Sequence, residues 1–348
     1  MSFVRSLVTL VGAALAAALV ILTALHVLAP QRDGPFALSQ ILAPYLFLLL
    51  VPFVLLLRTP GSSGRILRWT MSAAALVFLV RFVPAWVPLP GAAPAAAAGA
   101  ERLGVVTWNL ELGQPDTEAV VAMIRSMEAD VIGLVELTPR HAAAIEADDE
   151  LRHRFPTMEL RPTDGSLGIG LLSTLAPIDE PHAEVDPPLV VQRLDAGEGV
   201  TITAVVAHPL PGRIETVGGA LPVGYDSTSR DRHLAIVRDV VDPILASGEP
   251  LLLIGDFNVV DREPGYDDLA TGLIDAHRAA GLGPGHTWRP PRLEWLPFGL
   301  LRIDLLFSAN GITPVSVSQD CTPRGSDHCI MAGVMALPDR SARSASSP

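Results

Sequence analysis

The stretch LLLIGDFN, Leu251 to Asn258, decides how the rest of the sequence is read. It opens as a continuous apolar run of strand length, without the alternation of a strand that keeps one wet face. It then breaks into Gly-Asp-Phe-Asn, which sets a carboxylate and an amide at the end of a buried strand.

The same design recurs on either side. Short runs rich in Val, Ile and Leu predict buried strands over Gly104–Leu110, Val131–Glu136, Ile169–Ser173, Val200–Ala207, Leu251–Phe257 and Ile303–Ser308. Helical spacing covers Thr117–Glu128 and Ser229–Leu245, the second with Leu234, Ile236, Val237, Val240 and Val241 for a core-facing side. Strands and helices mixed in one domain predict an α/β sandwich, in which two packed sheets with outer helices bury the strands on both faces. Gly281–Gly299 and His208–Tyr225 are expected to be long surface loops.

Polar residues gather at the ends of these runs. Asn109 ends VVTWNL, Glu136 ends DVIGLVEL, His208 ends TAVVAHP, Asp256 and Asn258 end LLLIGDFN, Asp304 lies in RIDLLF and Asp327-His328 in GSDHCI. Strand ends of a sheet scaffold converge at one edge, so the set has the makings of a cleft. Singly, an Asn or Asp there is usually a turn or cap. Glu136 after a run of buried residues is harder to explain so, because a carboxylate at a core rim costs free energy without a partner.

The first hundred residues differ in kind. Three apolar stretches, Val8–Ala29, Phe36–Leu57 and Leu67–Pro88, are each long enough to cross ~30 Å of hydrocarbon as a helix. A cleaved signal peptide has a shorter apolar core than the first of them, and two more follow. Arg5 precedes the first stretch, and Arg58, Arg65 and Arg68 crowd the connection between the second and third; both places are expected to be cytoplasmic. Three spans then carry residues from Glu101 onward to the outer side. The expected division is a membrane anchor over 1–90, a flexible linker over 91–101, a catalytic domain over 102–337 and a disordered tail over 338–348.

Formal net charge is −12, and every basic residue is Arg. With six Arg and one Asp before Glu101, the part after it carries 19 Arg and 36 acids, near −17. A protein that neutralises phosphates along a nucleic acid needs the opposite sign. The two cysteines, Cys321 and Cys329, both fall in the part expected outside, where a disulfide is permitted. Joined, they would close a short loop around Gly325, Ser326, Asp327 and His328; unjoined, they are two small apolar residues.

Taken in order, WN, then E, H, GDFN, ID and SDH resemble the signature of the endonuclease/exonuclease/phosphatase (DNase I-like) family over nearly all of Val105–Met331. Three spans ahead of such a domain resemble its membrane-anchored bacterial group, which includes VanJ-type proteins. The resemblance implies a DNase I-like four-layer α/β sandwich, here preceded by three transmembrane helices. It implies Asn109, Glu136 and Asp327 around a divalent cation, Mg²⁺ or Mn²⁺, to which oxygen ligands are suited. Asp256 would orient or deprotonate the attacking water, and Asn258 would donate to the phosphoryl oxygens. His328, oriented by Asp304, would contact the scissile phosphate, with His208 binding a non-bridging oxygen.

Two positions depart from the pattern: Phe155 stands in the region where many members carry a phosphate-binding Tyr, and Val135 where many carry Gln before the Glu. Thr287-Trp288 reads either as a pocket wall or as core. Arg230 and Arg232 read as anion contacts or as solvated helix-start residues, and Asp275 as a helix cap. His233, His277 and His286 lack metal-ligand spacing.

The expected activity is hydrolysis of phosphate esters or pyrophosphates, on a lipid-linked substrate at the outer face of the membrane. An extracytoplasmic DNA or RNA nuclease is the alternative, disfavoured by charge, and a non-enzymatic binding module is the second. Nothing in the sequence speaks to oligomeric state.

Overall fold

A computed structural model describes residues 2–88, 91, 96, 99–197, 199–219, 221–290 and 292–338. The expected linker falls largely, and the expected tail almost entirely, outside the described residues. Chain contacts resolve two compact units.

The first unit comprises residues 1–86 with two insertions from later in the chain, 212–228 and 262–264. It contains α1 (Ser2–Leu28), α2 (Gly34–Ile41), α3 (Ala43–Leu46) continued by a 3₁₀ segment Phe47–Leu56, and α4 (Gly61–Arg81). Two helices, Phe3–Leu28 and Gly61–Trp86, are long and apolar enough to cross a membrane. The second apolar stretch is not one straight helix: Gly34–Ile41 and Ala43–Leu56 meet at 81°. Pro44, in the first turn of α3, explains the break: it has no N–H for the Gln40 carbonyl and its ring clashes with that carbonyl, so the chain leaves helical geometry at Leu42.

The second unit is built on two sheets. Its strands are β1 (Arg102–Asn109), β2 (Val131–Val135), β3 (Thr157–Arg161), β4 (Ile169–Ser173), β5 (Ala176–Pro177), β6 (His182–Val185), β7 (Pro188–Asp195) and β8 (Thr201–Ala207). A hairpin of β9 (Arg213–Val217) and β10 (Leu221–Asp226), which belongs to the first unit, interrupts the series. There follow β11 (Leu251–Asp256), β12 (Ile274–Asp275), β13 (Asp304–Ala309), β14 (Thr313–Asp320) and β15 (Ile330–Ala336). One sheet has the order β14-β15-β1-β2-β4-β3 and the other β12-β13-β11-β8-β7-β5, with β6 beside β7.

The sheets pack face to face. Val105, Val131, Val135, Leu171 and Met331 of one share a buried cluster with Val190, Ile202, Val206, Ile254 and Leu306 of the other. Alternate residues turn outward: Val106, Trp108, Ile132 and Leu134 meet α5 (Thr117–Ser126), α6 (Pro139–Ala147) and α7 (Asp149–Arg154). On the far side Val205, Leu253 and Phe307 meet α8 (Thr228–Ser247) and α9 (Pro264–Ala270). Each such side chain is worth about 1.5–3 kcal/mol in removed apolar surface, so strands covered on both faces are the firmest part of the molecule.

All six predicted strands and both predicted helices are present, within two residues at their ends. The region His208–Tyr225, expected as a loop, instead contains the β9–β10 hairpin. Phe155 lies in the outer core beneath α5 to α7, away from the polar strand ends.

Candidate active site

In one sheet β1 and β2 are parallel, and Asn109 and Glu136 stand at their C-terminal ends beside the N-terminal end of β15. In the other, β8 and β11 are parallel, ending at His208 and Asp256, and antiparallel β13 begins at Asp304, directly opposite Asp256. Parallel strands paired within each sheet, with the sheets stacked, therefore deliver the predicted residues to one edge.

Gly255 makes the second half possible. Its φ is +146°, and a Cβ there would sit 2.0 Å from the Ala207 carbonyl oxygen. Only glycine lets β11 approach β8 so closely just before Asp256.

Asn109 ties the sheets together at this edge. Its Nδ2 donates to Glu136 Oε1 at 3.3 Å and to Asp256 Oδ2 at 3.0 Å, while its Oδ1 accepts from the Glu111 backbone N–H at 2.8 Å. The amino group, not the amide oxygen, faces the carboxylates. Glu136 takes a second bond from the Leu112 N–H at 2.9 Å, and Asp256 Oδ1 accepts from the Asn258 N–H at 2.9 Å. Glu111, Leu112, Glu136 and Asn258 all have positive φ (43°, 52°, 57° and 51°). Backbone strain gathered in this way marks a site held for function at a cost in stability.

Two imidazoles face one carboxylate oxygen: His328 Nε2 and His208 Nε2 are each 3.7 Å from Asp256 Oδ2. They are in different states. His328 Nδ1 is 2.8 Å from Asp304 Oδ2. Burial disfavours its charge, but the carboxylates of Asp304 and Asp256 outweigh this and push the ring up to about 10. His208 Nδ1 donates to the Ser166 carbonyl at 3.0 Å, and burial holds this ring below the usual histidine range despite Glu136. It is therefore neutral at pH 7, with an Nε2 lone pair toward which Asn258 Nδ2 points at 3.4 Å. For Asp256, burial and repulsion from Asp304 push the carboxyl up to about 7.

The Asp327-His328 segment is held by groups to which the sequence assigned no such role. Arg289, fully buried, donates to the carbonyls of Leu296, Cys321, Ser326, Asp327 and His328. Ser326 Oγ donates to the Asn109 carbonyl at 2.8 Å, joining the segment to the end of β1. Thr287 Oγ1 accepts from the Asp304 N–H at 3.3 Å, and Trp288 Nε1 donates to Asp327 Oδ2 at 2.9 Å. Trp288 is thus half-buried with its polar end on the site. Cys321 and Cys329 are joined, closing the loop around Asp327 and His328.

Other singled-out residues are structural. Arg230 is buried against Asp231 and donates to the Asn258 carbonyl, bracing that left-handed residue. Asp275 caps α10 (Ala276–Ala280) and pairs with Arg302 at 2.7 Å. His233 Nδ1 accepts from the Leu210 N–H and its Nε2 faces Asp186 at 3.0 Å.

Two groupings bear on a cation. Ligand atoms of Asp256, Asp304 and His328 lie within 4.8 Å of one another, but the His328–Asp304 hydrogen bond already occupies two of them. The other grouping is all oxygen. Glu136 and Asp327, both raised by burial, are joined by Glu111, whose Oε2 accepts from the Asp327 N–H at 2.7 Å. Burial and the Asp327 charge push Glu111 up to about 7. Glu136, Asp327 and Glu111 offer only carboxylate oxygens, the donors that a hard divalent cation takes, so these residues fit Mg²⁺ or Mn²⁺.

The sequence model of the endonuclease/exonuclease/phosphatase family matches residues 106–328, from β1 to His328. The chain belongs to this family. It is a hydrolase acting on phosphate ester bonds. Among solved structures it is similar to a functionally unknown conserved protein from Enterococcus faecalis V583, at 16% identity and a TM-score of 0.53, over 68% of this chain and all of that one. It is also similar to the family's Bacteroides vulgatus protein (16%, TM-score 0.52, 68% and 99%). A third is D. rerio TDP2 complexed with single strand DNA product (16%, TM-score 0.51, 68% and 100%). At such identities the likeness is one of fold. No curated protein matches the chain.

As an endonuclease/exonuclease/phosphatase domain, the second unit sets its polar strand ends where the sequence reading places them. Glu111 and Arg289 carried no strand-end signal; only the adjacency of Glu111 to the WN motif and of Arg289 to Thr287-Trp288 pointed at them, while Ser326 stood in the SDH motif without a role of its own.

Proposed function

We propose that this protein is a membrane-anchored, divalent-metal-dependent phosphoesterase acting on phosphate esters or pyrophosphates of a lipid-linked substrate at the outer face of the membrane. One observation carries the reading: a single chain holds both the Asp256–His328–Asp304 cluster and helices long and apolar enough to span a bilayer. Residues 1–90 are the anchor with three spans, the bent pair being one of them, and 102–337 the catalytic domain. Apolar helices ahead of the family domain support reading the chain as one of the family's VanJ-type membrane-anchored proteins.

Glu136 and Asp327, with Glu111, would hold the cation, and Asn109 orients Glu136 and Asp256 through its amino group. Bound there, the cation would neutralise charge on the phosphoryl oxygens. Asp256 takes a proton from the attacking water as the new P–O bond forms and the ester P–O bond breaks. The His328 imidazolium, kept charged by Asp304, faces the phosphoryl oxygens, and Asn258 donates to them. His208 gains a proton only when an anion offsets its burial, so it binds phosphate better than it binds water.

A lipid-linked substrate is supported by the anchor, which confines enzyme and substrate to one surface and so raises their effective concentration. Trp295 and Phe298 add to this, exposed on the loop whose Leu296 carbonyl Arg289 holds. The nuclease reading draws on the TDP2 structure with its DNA product; a charge near −17 outside the anchor opposes it.

The test is phosphate release by detergent-purified full-length protein, with Mg²⁺ and with EDTA, from undecaprenyl pyrophosphate, a phospholipid and plasmid DNA. Metal-dependent release from a lipid, lost in His328→Ala, supports the proposal. Cleavage of DNA alone refutes the lipid reading and makes the protein a displayed nuclease.

A further inference from the structure

Residues 216–224, TVGGALPVG, contain no charged side chain. Of these, residues 216–219 and 221–224 form the tip of the β9–β10 hairpin, where Val217 stands opposite Leu221. Both are well exposed, at 61% and 63%; Val223 (36%) stands at a bulge in β10, and Ile214 (53%) is exposed on the ribbon's other face. A two-stranded ribbon is marginal in water unless something covers it, and a contiguous exposed apolar patch marks an interaction surface.

What covers it is indicated by the unit to which it belongs. The hairpin clusters with α1, α2 and α4. Its polar groups sit at the base: Arg213 pairs with Asp226, and the Ser227 N–H donates to Asp33 Oδ1 at 2.7 Å, just before α2. Gln40 Nε2, on α2, donates to the Arg262 carbonyl at 2.6 Å, and Arg262 Nη2 donates to the Ile41 carbonyl at 2.8 Å. α2 in turn is bent 81° from Ala43–Leu56. With α1 ending at Leu28 and the next apolar stretch beginning at Gly34, Asp33 lies in the connection between two spans at the membrane surface, and the hairpin base bonded to it lies at that level.

We propose that the hairpin tip, residues 216–224, is a membrane-contacting finger that inserts Val217, Leu221 and Val223 into the headgroup–acyl boundary of the bilayer the helices span. This rests on reading those helices as membrane spans. An uncharged tip above a base carrying Arg213, Glu215 and Asp226 has the polarity gradient that interfacial elements need. The chain leaves the catalytic unit after Pro211, close behind His208, and returns at Ser229.

The test uses full-length protein in vesicles of phosphatidylethanolamine and phosphatidylglycerol, with one NBD-labelled cysteine at a time: Val217→Cys, Leu221→Cys, Leu10→Cys in α1 and Arg152→Cys on α7. The native cysteines are bonded to each other and do not take the label without reductant. Labels at 217 and 221 are expected to lose most of their emission to doxyl-lipid quenchers, as the label at 10 does, whereas the label at 152 yields only to aqueous iodide. Lipid quenching at 10 with iodide quenching at 217 and 221 overturns the finger alone. Shielding of 217 and 221 that depends on protein concentration and not on doxyl lipid assigns the surface to a second copy and also overturns it. Absence of lipid quenching at 10 overturns the membrane reading, and the finger with it.

Discussion

His328 Nδ1 lies 2.8 Å from Asp304 Oδ2, and both side chains are buried. The carboxylate fixes the ring so that Nε2 points at Asp256, and it stabilises the imidazolium. Asp304→Asn keeps the shape and loses the charge. We expect kcat to fall roughly 10²- to 10⁴-fold, with far-UV circular dichroism unchanged. Turnover within a few-fold of wild type would show that His328 works without its partner.

The same charges make the metal-free protein sensitive to pH. The folded Asp256 carboxyl, up from 3.8 to about 7, binds its proton more tightly than in the unfolded chain, so stability falls as pH rises through that interval. His328, up from 6.5 to about 10, contributes stability that is fully present below about pH 6.5 and lost as pH passes 10. In EDTA the melting temperature should therefore decline from pH 5 to pH 9. Asp256→Asn should melt higher than wild type at pH 8, with a flatter profile and no turnover. Parallel profiles for the two proteins would contradict the assignment.

Glu136 and Asp327 predict a metal response visible without substrate. Mg²⁺ at millimolar concentration should raise the melting temperature of wild type, because a ligand that binds only the folded state stabilises it. Glu136→Gln should weaken the apparent Mg²⁺ affinity by at least about tenfold in thermal titration. An undiminished Mg²⁺ shift in that variant would move the cation elsewhere.

Arg289 holds five carbonyls in the segment that presents Asp327 and His328. Arg289→Met leaves buried acceptors unpaired, each costing about 1–3 kcal/mol. Denaturant unfolding should show a loss on the order of 3 kcal/mol or more. Arg289→Lys, which keeps the charge but not the fork, should recover only part of it.

Gly255→Ala places a methyl group 2.0 Å from the Ala207 carbonyl oxygen at a φ that L-residues avoid. The strands must part, at a cost of about 1–3 kcal/mol or more, and Asp256 moves from His208. Activity should fall further than stability does, which parallel assays of turnover and urea midpoint would reveal.

How far these features could be read from sequence depends on burial. The strands β1, β2, β4, β8, β11 and β13 announce themselves because both faces are covered and most of their residues are apolar. Strands β3 and β14 escape, since half-exposed residues such as Glu159 and Gln319 blur the run. The β9–β10 hairpin escapes because its glycines and exposed side chains look like loop. The polar strand ends were legible as a set; Arg289 was not, because one buried arginine surrounded by carbonyls has no periodicity to betray it. Nor does composition show that Asn109 turns its amino group toward the acids, an orientation set by the Glu111 N–H.

Asp256 and Asp304 face each other across adjacent strands, and that pairing has an evolutionary meaning. Two groups locked by strand register cannot drift independently: slipping either strand by one residue would turn a carboxylate to the wrong side of the sheet. Chemistry is thus written where the chain is least free to vary: a change that shifts one carboxylate has to be matched on the neighbouring strand, so the pair is inherited together or lost together.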